Sequence, residues 1–142
     1  MIIVPFKAEH LIDIKLQPAQ LGYEAMLGDP RYGEWLAGAG PGYSVFANDE
    51  LVACAGFWVQ WENRAIVWAL VTATAGKHFV GFHRAVKRAL DLHKYRRIET
   101  AVKCGFVEGE RWARMLGMEK EGTMRAYAPD GDDYDLFARI SA

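Results

Sequence analysis

Apolar residues in this chain recur with two periods, near two and near 3.6, and the switches between them mark its elements. Ile2-Ile3-Val4-Pro5-Phe6 predicts a short first strand, and Pro5, which has no N–H for a ladder, assigns it to an edge. Residues 8–13 predict one or two helical turns. Pro18 suits the first position of a helix running through Leu21, Ala25 and Met26, which Gly28-Asp29-Pro30 stops. A further short helix over about 32–37 ends in Gly38-Ala-Gly-Pro-Gly42.

From Tyr43 the period is two. Residues 43–47, the turn pair Asn48-Asp49 and residues 51–59 predict a hairpin, because Asn and Asp tolerate the positive φ of tight turns. A second turn at Glu62-Asn63 leads into the apolar run 64–72, expected at the centre of the sheet. The period then becomes helical. Phe79, Phe82, Val86, Ala89 and Leu90 share one face of a helix over 77–93, and residues 97–102 alternate as a strand. That strand closes a right-handed crossover parallel to the 64–72 strand. A short helix over 108–116, with Trp112, Met115 and Leu116 as its apolar face, stops at Gly117. Strands over 119–128 and 133–140 flank the turn Pro129-Asp-Gly-Asp132. These elements predict an α+β fold: a mixed sheet of six or seven strands, a β-α-β crossover and about four helices.

Composition narrows the class. With 142 residues, 51% apolar and 25% charged, the chain is expected to form a single domain over 1–142 with an ordinary buried core. No apolar run approaches the roughly 20 residues of a membrane span, and no export signal is visible, so a cytoplasmic protein without a membrane partner is expected. Cys54 and Cys104 are then expected to be reduced, Cys54 within the core. The net charge of −1 hides an asymmetry. Residues 77–97 hold seven Lys or Arg against Asp91, with Arg84, Lys87, Arg88, Lys94, Arg96 and Arg97 on the solvent side of the helix or at its end, whereas 130–135 hold four Asp. A solvated basic face is the simpler reading, and binding of nucleic acid or of an acidic partner by this helix is the weaker alternative.

The chemistry centres on the junction between the 64–72 strand and its helix. Thr72-Ala-Thr-Ala-Gly-Lys-His78 is a small-residue loop entering a helix, where unpaired N–H groups and the positive end of the helix dipole suit an anion. His83, His93 and Cys104 have neither the spacing of a metal site nor that of a nucleophilic pair, and no metal is expected.

The element order, together with Ile66-Val-Trp-Ala-Leu70 before the basic helix, Val102-Lys-Cys-Gly105 after the crossover strand and Arg114-Met-Leu-Gly-Met118 before the final hairpin, resembles the GCN5-related N-acetyltransferase (GNAT) superfamily. Within it, the chain looks most like short GNAT-like or internal virion proteins of tailed phages. The resemblance implies acetyl-CoA as cosubstrate, with its pyrophosphate on the loop entering the crossover helix. Gly76 matches the first glycine of that loop's pattern, and His78 stands where a second small residue belongs. It further implies that the pantetheine arm pairs with backbone at Ala69, Leu70 and Val71, and that Thr72, Thr74, Ala75, Gly76, Lys77, His78 and Phe79 complete the cofactor site. The family's usual tyrosine, four residues before the helix-ending glycine, is replaced by Ala113, and its usual asparagine after the parallel strand by Phe106. Tyr127 and Tyr134 are the candidate substitutes, and Glu62 is the candidate base; each also reads as an ordinary packing or turn residue. Tyr43, Trp58, Trp61 and Trp68 read either as lining of an acceptor pocket or as core.

Two functions follow from the resemblance. One is acetyl transfer from acetyl-CoA to a primary amine of a small molecule or protein. The alternative is a catalytically silent phage protein acting in the virion, in assembly or on the host. A homodimer and virion proteins are the partner alternatives besides acyl-CoA and an unidentified amine.

Overall fold

The computed structural model describes residues 1–12 and 14–141, without the side chains of 22–25. Seven strands are present among them: β1 (Ile2–Pro5), β2 (Gly42–Ala47), β3 (Glu50–Trp61), β4 (Arg64–Val71), β5 (Arg97–Lys103), β6 (Glu119–Met124) and β7 (Tyr134–Ile140). They form one sheet in the order β1-β2-β3-β4-β5-β7-β6, with β4 in the middle and β1 at an edge, as Pro5 predicts. The α-helices are α1 (Glu24–Leu27), α2 (Pro30–Gly38), α3 (Phe79–Leu92) and α4 (Val107–Met115). The sheet is mixed: β2 runs antiparallel to β3, and β5 parallel to β4, as the meander and crossover require. Asn48 and Asp49 turn the first hairpin at φ of 51° and 64°, the positive-φ conformation that these residue types tolerate. No helix is long and apolar enough to cross a membrane among the described residues.

The leading segment departs from its prediction. Residues 8–11 form one 3-10 turn; Asp13, at the end of the predicted stretch, lies outside the described residues, as does the side chain of Ala25. The helix expected from Pro18 begins instead as a 3-10 turn over Pro18–Tyr23 and is α-helical only over Glu24–Leu27. Pro30 does not merely stop it. Asp29 caps the Arg31 N–H at 3.0 Å and Pro30 opens α2, the position where its missing N–H costs nothing.

The chain forms two compact units. The first comprises Met1–Trp58 and Trp68–His93, the second residues 59–67 and the chain from Lys94 onward. In the first, Phe6, Leu11, Leu16, Leu36, Cys54 and Leu70 form a core, against which Trp68 packs with its ring edge-to-face on Phe6 at 5.1 Å. α3 buries Phe82, Val86 and Leu90 and leaves Arg84, Lys87 and Arg88 exposed. Cys54 is fully buried and its thiol lies 3.3 Å from Ser44 Oγ, which in turn meets His10 Nδ1 at 2.6 Å. Burial pushes that thiol up to about 11, so it stays protonated at neutral pH and inert.

Gly56, on β3, sets how closely this unit closes. A Cβ there would stand 2.8 Å from Pro41 O and from the Trp68 ring, and 2.9 Å from Gly42 Cα. Two of these neighbours are main chain and cannot rotate away. Gly56→Ala is therefore expected to cost about 1–3 kcal/mol, read as a lower urea midpoint at unchanged slope.

In the second unit, β5 pairs along its length with β7, while its ladder with β4 covers only Arg64–Ile66 against Arg97–Glu99. Glu99 is buried between the guanidiniums of Arg64 and Arg97, the latter at 2.6 Å, and Arg97 also binds Glu121. Arg97 thus belongs to an ion network and not to the solvated basic face in which its sequence neighbours placed it. On α4 the buried positions are Ala113 and, at its cap, Leu116, three residues on. Met115, expected on the apolar face, is 54% exposed, because the inward face of so short a helix is set by that spacing of three. The last two strands are shorter than predicted. Residues 125–133 leave the ladder where Ala126 takes φ of 52°, and Asp side chains hold them: Asp133 accepts the Ala126 N–H at 2.8 Å and Asp130 the Asp132 N–H at 3.0 Å.

Candidate functional site

The junction of β4 and α3 lies wholly in the first unit. Thr72 fastens it to β3: its N–H and its hydroxyl both donate to Val52 O, at 3.0 and 2.8 Å. Because strand residues alternate, the main-chain groups of Ala69 and Val71 then face the opposite edge of β4. That edge is covered by the N-terminal segment. Gln20 Nε2 donates to Ala69 O at 2.6 Å and its Oε1 accepts the Val71 N–H at 2.8 Å. The Gln17 N–H donates to Val71 O at 2.8 Å, Leu16 bridges Thr72, and the Ala73 N–H donates to Lys15 O at 3.3 Å.

The loop that follows is tighter than a bare helix start. Ala75–His78 is a 3-10 turn, and α3 begins at Phe79, two residues after the predicted start, with His78 at its N-cap position. The N–H groups of Ala75, Lys77 and Phe79 donate to the carbonyls of Thr72, Thr74 and Gly76. Thr74 takes a helical conformation and no side chain caps the turn, so these N–H groups close i to i−3 bonds in place of facing outward. Among the cofactor candidates, Leu70, Thr72 and Ala75 have buried side chains and offer main chain only. Thr74, Gly76 and Lys77 are exposed, and Ala69, Val71, His78 and Phe79 half-buried. A Cβ on Gly76 would meet nothing within 4 Å. There is open space beside the turn, and Lys77 supplies a cation next to it.

By sequence, the chain matches no protein-family model and no curated protein. By structure it is similar to an N-acetyltransferase from Staphylococcus aureus, with a TM-score of 0.72, 9% identity, and 98% of this chain and 96% of that one covered. An aminoglycoside 6'-acetyltransferase type Ii matches with a TM-score of 0.73 at 17% identity, over 99% of this chain and 97% of the other. A ribosomal-protein-alanine N-acetyltransferase from Brucella melitensis matches at 0.71 and 14% identity, over 99% and 100%. The fold is the GNAT fold.

The catalytic candidates on this GNAT fold lie in the second unit. Glu62 is exposed in the β3–β4 turn. Tyr134 opens β7 and is buried, whereas Tyr127 lies in the loop before it and is 50% exposed. Their rings stand 5.5 Å apart. Burial, with smaller contributions from Glu99 and Tyr134, raises the Tyr127 phenol, which keeps it a proton donor at neutral pH. Ala113 is 3% exposed, so a phenol at that position would overpack the unit as it stands. Phe106, at the asparagine position, serves as N-cap residue of α4, and Cys104 is exposed, 3.4 Å from Asp135 Oδ1.

Trp68 packs against the core, the Tyr43 hydroxyl meets His93 Nε2 at 3.0 Å, Trp58 stands edge-on to Trp35 at 4.7 Å, and Trp61 lies under Arg64 at 4.9 Å. Gln20 carries no signal in the sequence. A side chain that bonds to main chain about fifty positions away leaves no periodic trace in the sequence.

Proposed function

We propose that this protein is an acyl-CoA-dependent N-acyltransferase that moves an acetyl group from acetyl-CoA to a primary amine. The observation that carries the reading is likeness to N-acetyltransferases over nearly the whole of both chains. The open space at Gly76, with Lys77 beside it at the head of a 14-residue helix, supports placing the pyrophosphate at the 72–79 turn. Ala69 O and the Val71 N–H, both held by Gln20 in this structure, are the acceptor and donor that an extended pantetheine arm would engage.

In the reaction the amine nitrogen attacks the thioester carbonyl carbon. A C–N bond forms, the C–S bond breaks, and the coenzyme leaves as thiolate. The attacking nitrogen sheds a proton, and the thiolate gains one. Charge that develops on the carbonyl oxygen needs a fixed donor, and a β4 main-chain N–H of the 69–71 stretch is assigned that part. Proton transfers fall to Glu62 as base and to Tyr127 or Tyr134 as acid, with positioning contributing the larger share of the rate.

Thiol release from acetyl-CoA tests this, measured with polyamines, aminoglycosides and peptide N-termini as acceptors. Acetylated amine appearing in step with free thiol is the expected result. Tight binding of acetyl-CoA with no transfer to any amine would instead favour the catalytically silent alternative.

A further inference from the structure

The carboxamide of Gln20 occupies the edge of β4 in an uncommon way. It presents N–H and C=O on one side, to Ala69 O and to the Val71 N–H, which is the pair of groups that a residue of a parallel strand would engage. The rest of the N-terminal segment is anchored differently. Leu16 is buried in the core, and Gln17 and Lys15 hold Val71 O and the Ala73 N–H through main chain. Gln20 itself stands half-buried on the 3-10 turn Pro18–Tyr23, four residues beyond Leu16, so that rotation of its side chain alone would free the β4 edge.

We infer that Gln20 is a displaceable internal ligand: it holds the β4 edge closed at Ala69 and Val71, and a ligand with amide N–H and C=O groups along an extended arm takes its place. The ligand class follows from the edge. One acceptor and one donor, two residues apart, match alternating amide groups and match neither a sugar ring nor an aromatic face. Naming that ligand as acyl-CoA, whose pantetheine arm carries two amides, rests on the function proposed above. The Val71 N–H is then spent on Gln20 until the arm arrives, so the edge becomes competent only when loaded, and apparent affinity is lowered by the fraction of molecules in which Gln20 is bound.

Hydrogen exchange at the Val71 amide and titration calorimetry with acetyl-CoA test this together, on the full chain and on Gln20→Ala, with Gln20→Leu as a variant that keeps side-chain bulk. Loss of two hydrogen bonds predicts Val71 exchange faster by about tenfold in both variants, and acetyl-CoA bound about tenfold more tightly. Acetyl-CoA added to Gln20→Ala should restore protection at Val71. Unchanged Val71 exchange in both variants overturns the contact. Faster exchange with affinity equal to that of the native chain overturns the gating while leaving the acyltransferase reading intact. Absence of binding to all three proteins overturns that reading, and the ligand named here with it.

Discussion

Glu99→Ala is expected to lower the stability of the chain by about 3 kcal/mol at neutral pH, near the lower end of what removing one partner of a buried ion pair costs. The carboxylate is buried and takes a hydrogen bond from each of two guanidiniums. Its removal takes from Arg64 the carboxylate it pairs with at the β4–β5 ladder, whereas Arg97 retains Glu121, and both guanidiniums are partly exposed, which limits the loss. The effect should depend on pH. Burial pushes the Glu99 carboxyl up, but the hydrogen bonds and charges of Arg64 and Arg97 outweigh it, and its value lies below the ordinary 4.5. A depressed carboxyl contributes stability that is complete above the unfolded value and is lost as pH falls through the folded one. The gap between native and Glu99→Ala proteins in urea denaturation should therefore be widest near neutrality and narrow below pH 4.5. A constant gap down to strongly acid pH would contradict the network.

Gly76→Asp is expected to weaken acetyl-CoA binding at least about a hundredfold without unfolding the protein. A carboxylate about 5 Å from one phosphate charge, at an effective dielectric constant near 20, opposes binding by about 3 kcal/mol. The fold tolerates the substitution, since an added Cβ meets nothing within 4 Å. Gly76→Ala is the control, with affinity close to native. If Gly76→Asp binds as the native chain does, the pyrophosphate does not lie at this turn.

What could be read from the sequence had local causes. Asn48-Asp49 announces a tight turn because few residue types accept positive φ, and Phe82, Val86 and Leu90 announce a buried helix face because their spacing is that of the helix itself. The mixed sheet followed from one meander and one crossover. What escaped depends on partners distant in sequence. Arg97 reads as the last cation of a basic run, yet Glu99 and Glu121 claim it. The turn over Ala75–His78 reads as a small-residue entry to a helix, and nothing local distinguishes an amide facing outward from one closing an i to i−3 bond. The place of Ala69 and Val71 on β4 was readable, but their covering by Gln20 was not.

The proposed function requires this fold to take an acyl-CoA. Calorimetric titration of acetyl-CoA into the native chain tests it most directly. A single site with a dissociation constant below about 1 mM is the predicted result, within the range over which enzymes commonly meet their substrates; no heat of binding at millimolar acetyl-CoA would contradict it.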